Sequence, residues 1–354
     1  MTYKETLFFI GKCLTIHHEE HNKSTIEKQL QEANIDWDAV VKVSTKHYVF
    51  PALYCNFKKV NFLGYLPQDL VEYMQHITQL NRERNEQIIE QAKEINDVLL
   101  ANNITPIFLK GTAFLLQGLY EDIAERMVGD IDFLVSKDEY QTTINLLLKN
   151  KYTNVSTGDN LFPSEKHYPR LQKENKIAAV EIHKEMTIGY FAKLFNHEII
   201  KPYILSKDNI SVLSYNDQVK LTIIAKQIND DGQLYNDISL RNSYDVFILS
   251  QKTDTKKSIE LLEKKLKTLL NNFLAISKTT LNSNSINLFE NASSEQYLKK
   301  FLHLIENKNL REKHYRRSKI KNFLSKRLVI ILKAFYKKDY TIWLFNRIIK
   351  GREN

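Results

Sequence analysis

Two neighbouring segments, Phe108-Leu-Lys-Gly-Thr-Ala-Phe114 and Gly129-Asp-Ile-Asp-Phe-Leu-Val135, restrict what this chain can fold into more than any other stretch. They read as a strand, a glycine turn, a short helix and a second strand. Side chains alternate along a strand, so Asp130 and Asp132 project from one face while Ile131, Phe133 and Val135 enter a core on the other. Two like charges about 4 Å apart repel by roughly 4 kcal/mol at an effective dielectric of about 20. A hard divalent cation with oxygen ligands, Mg²⁺ or Mn²⁺, removes that cost. A second Asp-x-Asp, Asp36-Trp-Asp38, precedes Ala39-Val-Val-Lys-Val, where Asp36 reads as a helix N-cap instead.

The rest of the chain frames this pair. With 9 Gly and 6 Pro in 354 residues, long uninterrupted elements, mostly helices, are expected. Residues 1–100 read as a helical region. Ser24-Thr-Ile-Glu27 fits a capping box, Pro51 interrupts the segment near Tyr48-Val-Phe, and a long helix runs from about Leu70 to Asn102-Asn103. The polar stretch Asn81-Arg-Glu-Arg-Asn85 within it is expected to face solvent. An α/β core follows over 101–190. It has a strand at Thr105–Leu109, a Lys110-Gly111-Thr112 turn, a helix at Ala113–Leu119, the Asp130–Val135 strand and a covering helix at Asp138–Lys149. A polar loop with Pro163 and Pro169 then leads to a hairpin whose arms flank Glu174-Asn-Lys176. Helices return over 191–305, and a basic helical tail occupies 306–354.

In Val180-Glu-Ile-His183, Glu181 and His183 share one strand face, repeating the geometry at Asp130 and Asp132. A third carboxylate from an adjacent strand would complete a site able to hold one or two metal ions, an arrangement that serves in-line attack at a nucleotide's α-phosphorus. His183 could orient a metal ligand or move a proton. Gly111, lacking a Cβ, allows a tight turn and close approach of backbone N–H groups to phosphate, and Thr112 could add a hydroxyl. Lys110 and Arg126 are candidate phosphate cations or structural partners of the acids. Other groupings are weaker. His17-His-Glu-Glu-His21 does not match His-Glu-x-x-His and reads as a solvated helix end, and neither a P-loop nor Gly-x-Ser-x-Gly is present. Arg241 and Asp245, four apart, read as a stabilising helix pair.

The net charge of +9 is concentrated at one end. From Lys308 onward there are 15 Lys/Arg against 3 Asp/Glu, a balance of +12 that leaves −3 for the preceding residues. This tail, with aromatic residues interleaved, could bind nucleic acid, lie on an anionic surface, or pack on the body as an ordinary helix pair. Cys13 and Cys55 form no CxxC pair and suggest buried thiols in a reducing compartment. No run of about 18 apolar residues or signal-peptide core is found, so no transmembrane segment and a cytoplasmic location are expected.

Taken together, Leu109-Lys-Gly-Thr-Ala113, Tyr120, Arg126, Asp130-Ile-Asp132 and Val180-Glu-Ile-His183 resemble the uncharacterised bacterial nucleotidyltransferase family of the DNA polymerase β superfamily. The similarity extends over about residues 30–250, through Ile35-Asp-Trp-Asp38, Tyr48-Val-Phe-Pro51 and Leu240-Arg-Asn-Ser-Tyr-Asp245, and leaves out the basic tail. It implies an α+β fold, a small mixed-sheet polymerase-β-type core flanked by helical regions. It also implies a magnesium-dependent transfer of NMP from an NTP to an acceptor, which could be a small molecule, RNA or protein. Asp130, Asp132 and Glu181 would then be the catalytic, metal-binding triad, and Gly111 with Thr112 the phosphate-contacting turn. Two features depart from the superfamily pattern. The turn is Gly-Thr with Asp130 far downstream, which is similar to toxin nucleotidyltransferases of abortive-infection systems, and no histidine stands near Gln227.

Overall fold

The structure, a computed structural model, describes residues 1–155 and 166–350. Five helices precede the first strand: α1 (Tyr3–Cys13), α2 (Glu20–Gln31), α3 (Trp37–Lys46), α4 (Phe50–Lys59) and α5 (Gln68–Leu100). The central region runs β1 (Ile107–Phe108), α6 (Lys110–Gln117), β2 (Asp130–Leu134), α7 (Tyr140–Lys149), β3 (Thr153–Asn154), β4 (Leu171–Gln172), β5 (Ala179–His183), α8 (His197–Ile200), β6 (Leu205–Lys207) and β7 (Ile210–Val212). Helices complete the chain: α9 (Tyr215–Ile224), α10 (Gly232–Tyr235), α11 (Leu240–Ser250), α12 (Thr255–Glu260), α13 (Lys264–Leu281), α14 (Ala292–Glu306), α15 (Lys308–Ala334) and α16 (Lys338–Lys350).

The described residues thus form an α+β fold with one mixed sheet in the order β3-β4-β5-β2-β1-β7-β6. At its centre β2 and β5 run parallel, with Asp132 opposite Glu181 and Leu134 opposite His183, while β1 pairs antiparallel with β2. The sheet separates two apolar clusters. Ile131, Phe133, Val180 and Ile182 pack with Ile88, Ile95, Leu99, Ile144 and Leu147 of α5 and α7. Leu134, on the carboxylate side of β2, joins the other cluster, where Leu7 and Ile10 of α1 meet Phe247 of α11 and Phe273 of α13. The N- and C-terminal helices therefore share one core.

Several local expectations change. Asp36 does cap α3, accepting from Ala39 N at 3.0 Å, but Ser24 and Glu27 lie inside α2, whose N-cap is Glu19. Glu19 is buried rather than solvated, because its Oε1 accepts from the backbone N–H groups of Asn284 and Ser285. The complete capping box belongs to Thr2 and Glu5 of α1. Pro51 opens α4 instead of breaking a helix. The hairpin forms with shorter arms, Leu171 pairing with Val180, and Pro163 lies outside the described residues.

The largest change concerns α5. Asn81 and Asn85 are buried, not exposed. The Asn81 amide donates to Ala124 O at 2.7 Å, and the Asn85 amide donates to Ile123 O at 2.6 Å and Arg126 O at 2.8 Å. Two turns further on, Gln91 forms a double hydrogen bond with the backbone of Ala178, at 3.0 and 3.1 Å. One helix thus satisfies the otherwise orphaned peptide groups leading into both β2 and β5. A polar stripe that reads as solvent-facing holds the two acidic strands in place.

Candidate active site

The parallel register of β2 and β5 sets Asp132 beside Glu181, and His183 closes the group. His183 Nε2 lies 2.8 Å from Asp132 Oδ1 and 3.3 Å from Glu181 Oε2. One ligand atom from each of these three residues fits within 4.8 Å of the others, and all three are buried. Two cations complete the cluster. Lys110 Nζ is 2.6 Å from Asp132 Oδ1, and Arg170 spans the remaining acids with Nη2 2.8 Å from Asp130 Oδ2 and Nε 2.8 Å from Glu181 Oε1.

The electrostatics follow from this geometry. Burial pushes the Glu181 carboxyl up, but His183, Lys110, His167 and Arg170 outweigh it and hold the group far below its ordinary range. Asp132 behaves alike, with Lys110 and His183 overcoming burial. Asp130 moves the other way, because burial, Glu181 and Asp132 together exceed the pull of Arg170. Lys110 is raised, as Asp132 and Glu181 overcome its own desolvation. Two ionised, converging carboxylates beside an imidazole suit a hard or borderline divalent cation such as Mg²⁺ or Mn²⁺. The ammonium and guanidinium drawn onto them mark a local excess of negative charge of the right sign. The residues present therefore fit a metal, with His183 closer to the Asp132 and Glu181 ligand set than the expected Asp130.

The glycine turn is built differently from expectation. Lys110, Gly111 and Thr112 form the first turn of α6, and the left-handed residue is Lys110, at φ 53°. Such a conformation in a lysine is strained and persists only where its surroundings impose it. Gly111 is needed for a close approach, since a Cβ there would stand 2.9 Å from Val128 Cγ2. The Thr112 hydroxyl is buried and donates to Asp130 O at 3.0 Å, tying α6 to the start of β2.

Arg126, read as a phosphate cation or a structural partner of acids, spends its guanidinium on the protein. Nε and Nη2 meet the two oxygens of Asp245 at 2.7 and 2.9 Å, and Nη1 donates to Met127 O. The pairing of Arg241 with Asp245 is accordingly not formed. Asp245 is turned inward to Arg126 and Tyr120, while the Arg241 guanidinium lies over the Tyr48 ring, 4.9 Å from its centroid.

These groups line a cavity of about 330 Å³ whose far wall carries Asn229, Asp230, Arg241 and Asn242. Asn229 and Asp230 reach it through a π-turn over Ala225–Asn229 that continues α9, a distortion common at functional sites. A second cavity of about 530 Å³ shares Asp230, Arg241 and Asn242 with the first. Lys46, Tyr48, Tyr235, Arg311, Tyr315 and Arg316 also line it. Three buried nitrogens in its walls, Arg241 Nε, His47 Nε2 and His314 Nε2, have no hydrogen-bond partner. Arg170, Asp230 and the walls of this second cavity escape sequence reasoning. Arg170 sits in a polar loop without a motif, and the others converge only through the packing of α9, α11 and α15.

No curated protein matches the sequence. Among solved structures, the crystal structure of JHP933 from Helicobacter pylori is similar at 12% identity and a TM-score of 0.32, over 70% of this chain and 97% of that one. A family model described as an uncharacterised nucleotidyltransferase matches residues 33–279, which include every acidic and basic residue of the Asp132–Glu181 cluster. With more than half its length matched, the chain belongs to that uncharacterised nucleotidyltransferase family.

Proposed function

We propose that this protein is a metal-dependent nucleotidyltransferase with a polymerase-β-type core, moving an NMP unit from an NTP to an acceptor and releasing pyrophosphate. The observation that carries the reading is the register of β2 on β5, which sets Asp132 against Glu181 at the floor of an open cleft. Asp132 and Glu181 would hold Mg²⁺ or Mn²⁺, with His183 adjoining them and Asp130 on the same strand face. When bound, the metal supplies charge neutralisation at the phosphates and acidifies the attacking group.

The chain's own residues do the rest. Lys110 and Arg170, the cations nearest the carboxylates, meet the triphosphate oxygens. Gly111 lets the first turn of α6 sit close under Val128, and Thr112 fixes that turn to β2. The acceptor oxygen forms a bond to the α-phosphorus as the bond to the bridging oxygen breaks. Pyrophosphate leaves with the electron pair, and the acceptor proton passes to a carboxylate of the cluster and on to water. Arg126 acts as a positioning residue, through Asp245 and Met127 O.

The acceptor side is the second cavity. Its cations and unpaired nitrogens favour an acceptor that carries phosphate. The test is incubation of the protein with each α-labelled NTP, Mg²⁺ or Mn²⁺ and cell lysate. Label should enter a macromolecular or small-molecule acceptor with the wild-type protein and not with Asp132→Asn. Absence of transfer from all four nucleotides with either metal would overturn the reading.

A further inference from the structure

The basic tail turns its apolar side outward. On α15 the side facing the body is polar: Ser318 Oγ donates to Leu234 O at 3.3 Å, and Asn322 and Lys326 meet the Asp231 carboxylate at 2.8 and 2.6 Å. These positions recur every four residues and form one stripe of the helix. The opposite side carries Ile320, Leu324 and Leu328, with Phe335 at the C-cap, and these are 61%, 60%, 58% and 83% exposed. On α16, Tyr340 and Trp343 are buried while Ile342, Phe345 and Ile348 are exposed. From Ile320 to Phe335 the apolar stripe is about 22 Å long at 1.5 Å per residue. Cations accompany it. Arg317, Lys321 and Arg327 are set among and beside the apolar positions, and the Arg327 guanidinium lies over the Phe323 ring at 5.0 Å.

Contiguous apolar surface of this kind marks an interaction site. Its chemistry discriminates between occupants. Single-stranded nucleic acid could stack its bases on the exposed rings of Tyr315, Phe323, Phe335 and Tyr336, but it gives no apolar burial to Ile320, Leu324, Leu328 and Ile331, which are exposed beside them. A second copy would bring two surfaces of charge +12 together, since each tail has 15 Lys/Arg and 3 Asp/Glu. An anionic bilayer buries the aliphatic side chains in the acyl boundary while Lys and Arg stems extend to the headgroups. Among the described residues no helix is long and apolar enough to cross a membrane, so the helices would lie in its plane.

We propose that α15 and α16 form an in-plane anchor for an anionic membrane surface. This does not rest on the transferase reading. Because Tyr315 and Arg316 of α15 also line the second cavity, docking would hold that cavity near the lipid headgroups.

Flotation of the full-length protein with vesicles tests the proposal. Wild-type protein should float with phosphatidylcholine–phosphatidylglycerol vesicles, far less with pure phosphatidylcholine, and less at high salt. Leu324→Glu combined with Leu328→Glu should lower the bound fraction at least about tenfold. Arg317→Gln with Arg327→Gln should weaken binding to the anionic vesicles alone. All four positions are on the tail, and matching thermal melts would show that the variants fold. Wild-type protein that stays unbound with both vesicles overturns the proposal, as does a double Glu variant that floats like the wild type. A dimer in sedimentation that the two Glu substitutions dissociate, with no flotation, would assign the stripe to a second copy instead.

Discussion

Arg126 closes a two-pronged ion pair on Asp245, with Nε 2.7 Å from one carboxylate oxygen and Nη2 2.9 Å from the other, and both side chains are buried. Tyr120 donates its hydroxyl to the same carboxylate. The lead-in to β2 is thereby tied to α11, whose Arg241 and Asn242 form the opposite wall of the cleft. Breaking one side of such a pair leaves an uncompensated buried charge.

Arg126→Ala should therefore lower unfolding stability by about 3 to 5 kcal/mol. Arg126→Lys should recover only part of this, because an ammonium cannot reproduce the fork. Urea denaturation followed by circular dichroism measures both, and a loss under about 1 kcal/mol for the alanine variant would count against the role.

On the proposed mechanism, Asp132→Asn should reduce nucleotidyl transfer by about 10²- to 10³-fold while the fold is kept, since it removes a preorganised charge from the metal-binding group. Initial rates with an α-labelled NTP give the measure, and a variant within about threefold of wild type would remove Asp132 from the machinery.

Gly111→Ala places a methyl group 2.9 Å from Val128 Cγ2. Overpacking at a tight contact costs about 1 to 3 kcal/mol. The expected signature is a lowered melting temperature that Gly111→Ala with Val128→Ala partly restores. If the double variant is no more stable than Gly111→Ala alone, the contact with Val128 is not what excludes a side chain.

His47 supplies a pH dependence. Burial, aided by Lys46 and Lys226, lowers its pKa from 6.5 to about 4, and its Nδ1 accepts from Leu240 N at 3.3 Å. The unfolded chain takes up the proton first as pH falls. The contribution is thus fully present above pH 6.5 and is lost as pH drops to about 4. About 2 to 3 kcal/mol is at stake. His47→Gln keeps an acceptor and does not titrate, so its stability should fall less than that of the wild type between neutral and acidic pH. Parallel curves from urea melts would refute this.

Arg241 lines both cavities. On the proposed function, Arg241→Gln should slow transfer to acceptor by about 10-fold or more while leaving NTP binding within about twofold, because Arg241 lines the second cavity and its Nε has no hydrogen-bond partner. Equilibrium binding of a labelled NTP beside the transfer assay reads the two effects, and an equal loss in both would place Arg241 on the nucleotide instead.

Much of the site is local in sequence. Alternation along Asp130–Leu134 and Ala179–His183 is enough to put two polar side chains on one face of each strand, because neighbouring side chains on a strand must point opposite ways. The long helix α5 is legible from its apolar spacing, and the cap at Asp36 from its own side chain and the N–H three residues on. These features depend on residues a few positions apart, so the chain specifies them without knowledge of the fold.

What tertiary structure alone decided is pairing. Whether Asp132 stands opposite Glu181 depends on strand register, and a slip by one residue would turn either carboxylate to the other face. Asn81 and Asn85 look like surface residues until the segment 122–129 lays its peptide groups against them. Asp245 could have joined Arg241 one turn away, yet the buried guanidinium of Arg126, 119 residues distant in sequence, claims both its oxygens. A buried polar group takes the partner that packing brings to it, since leaving it unpaired costs more than any short-range preference supplies.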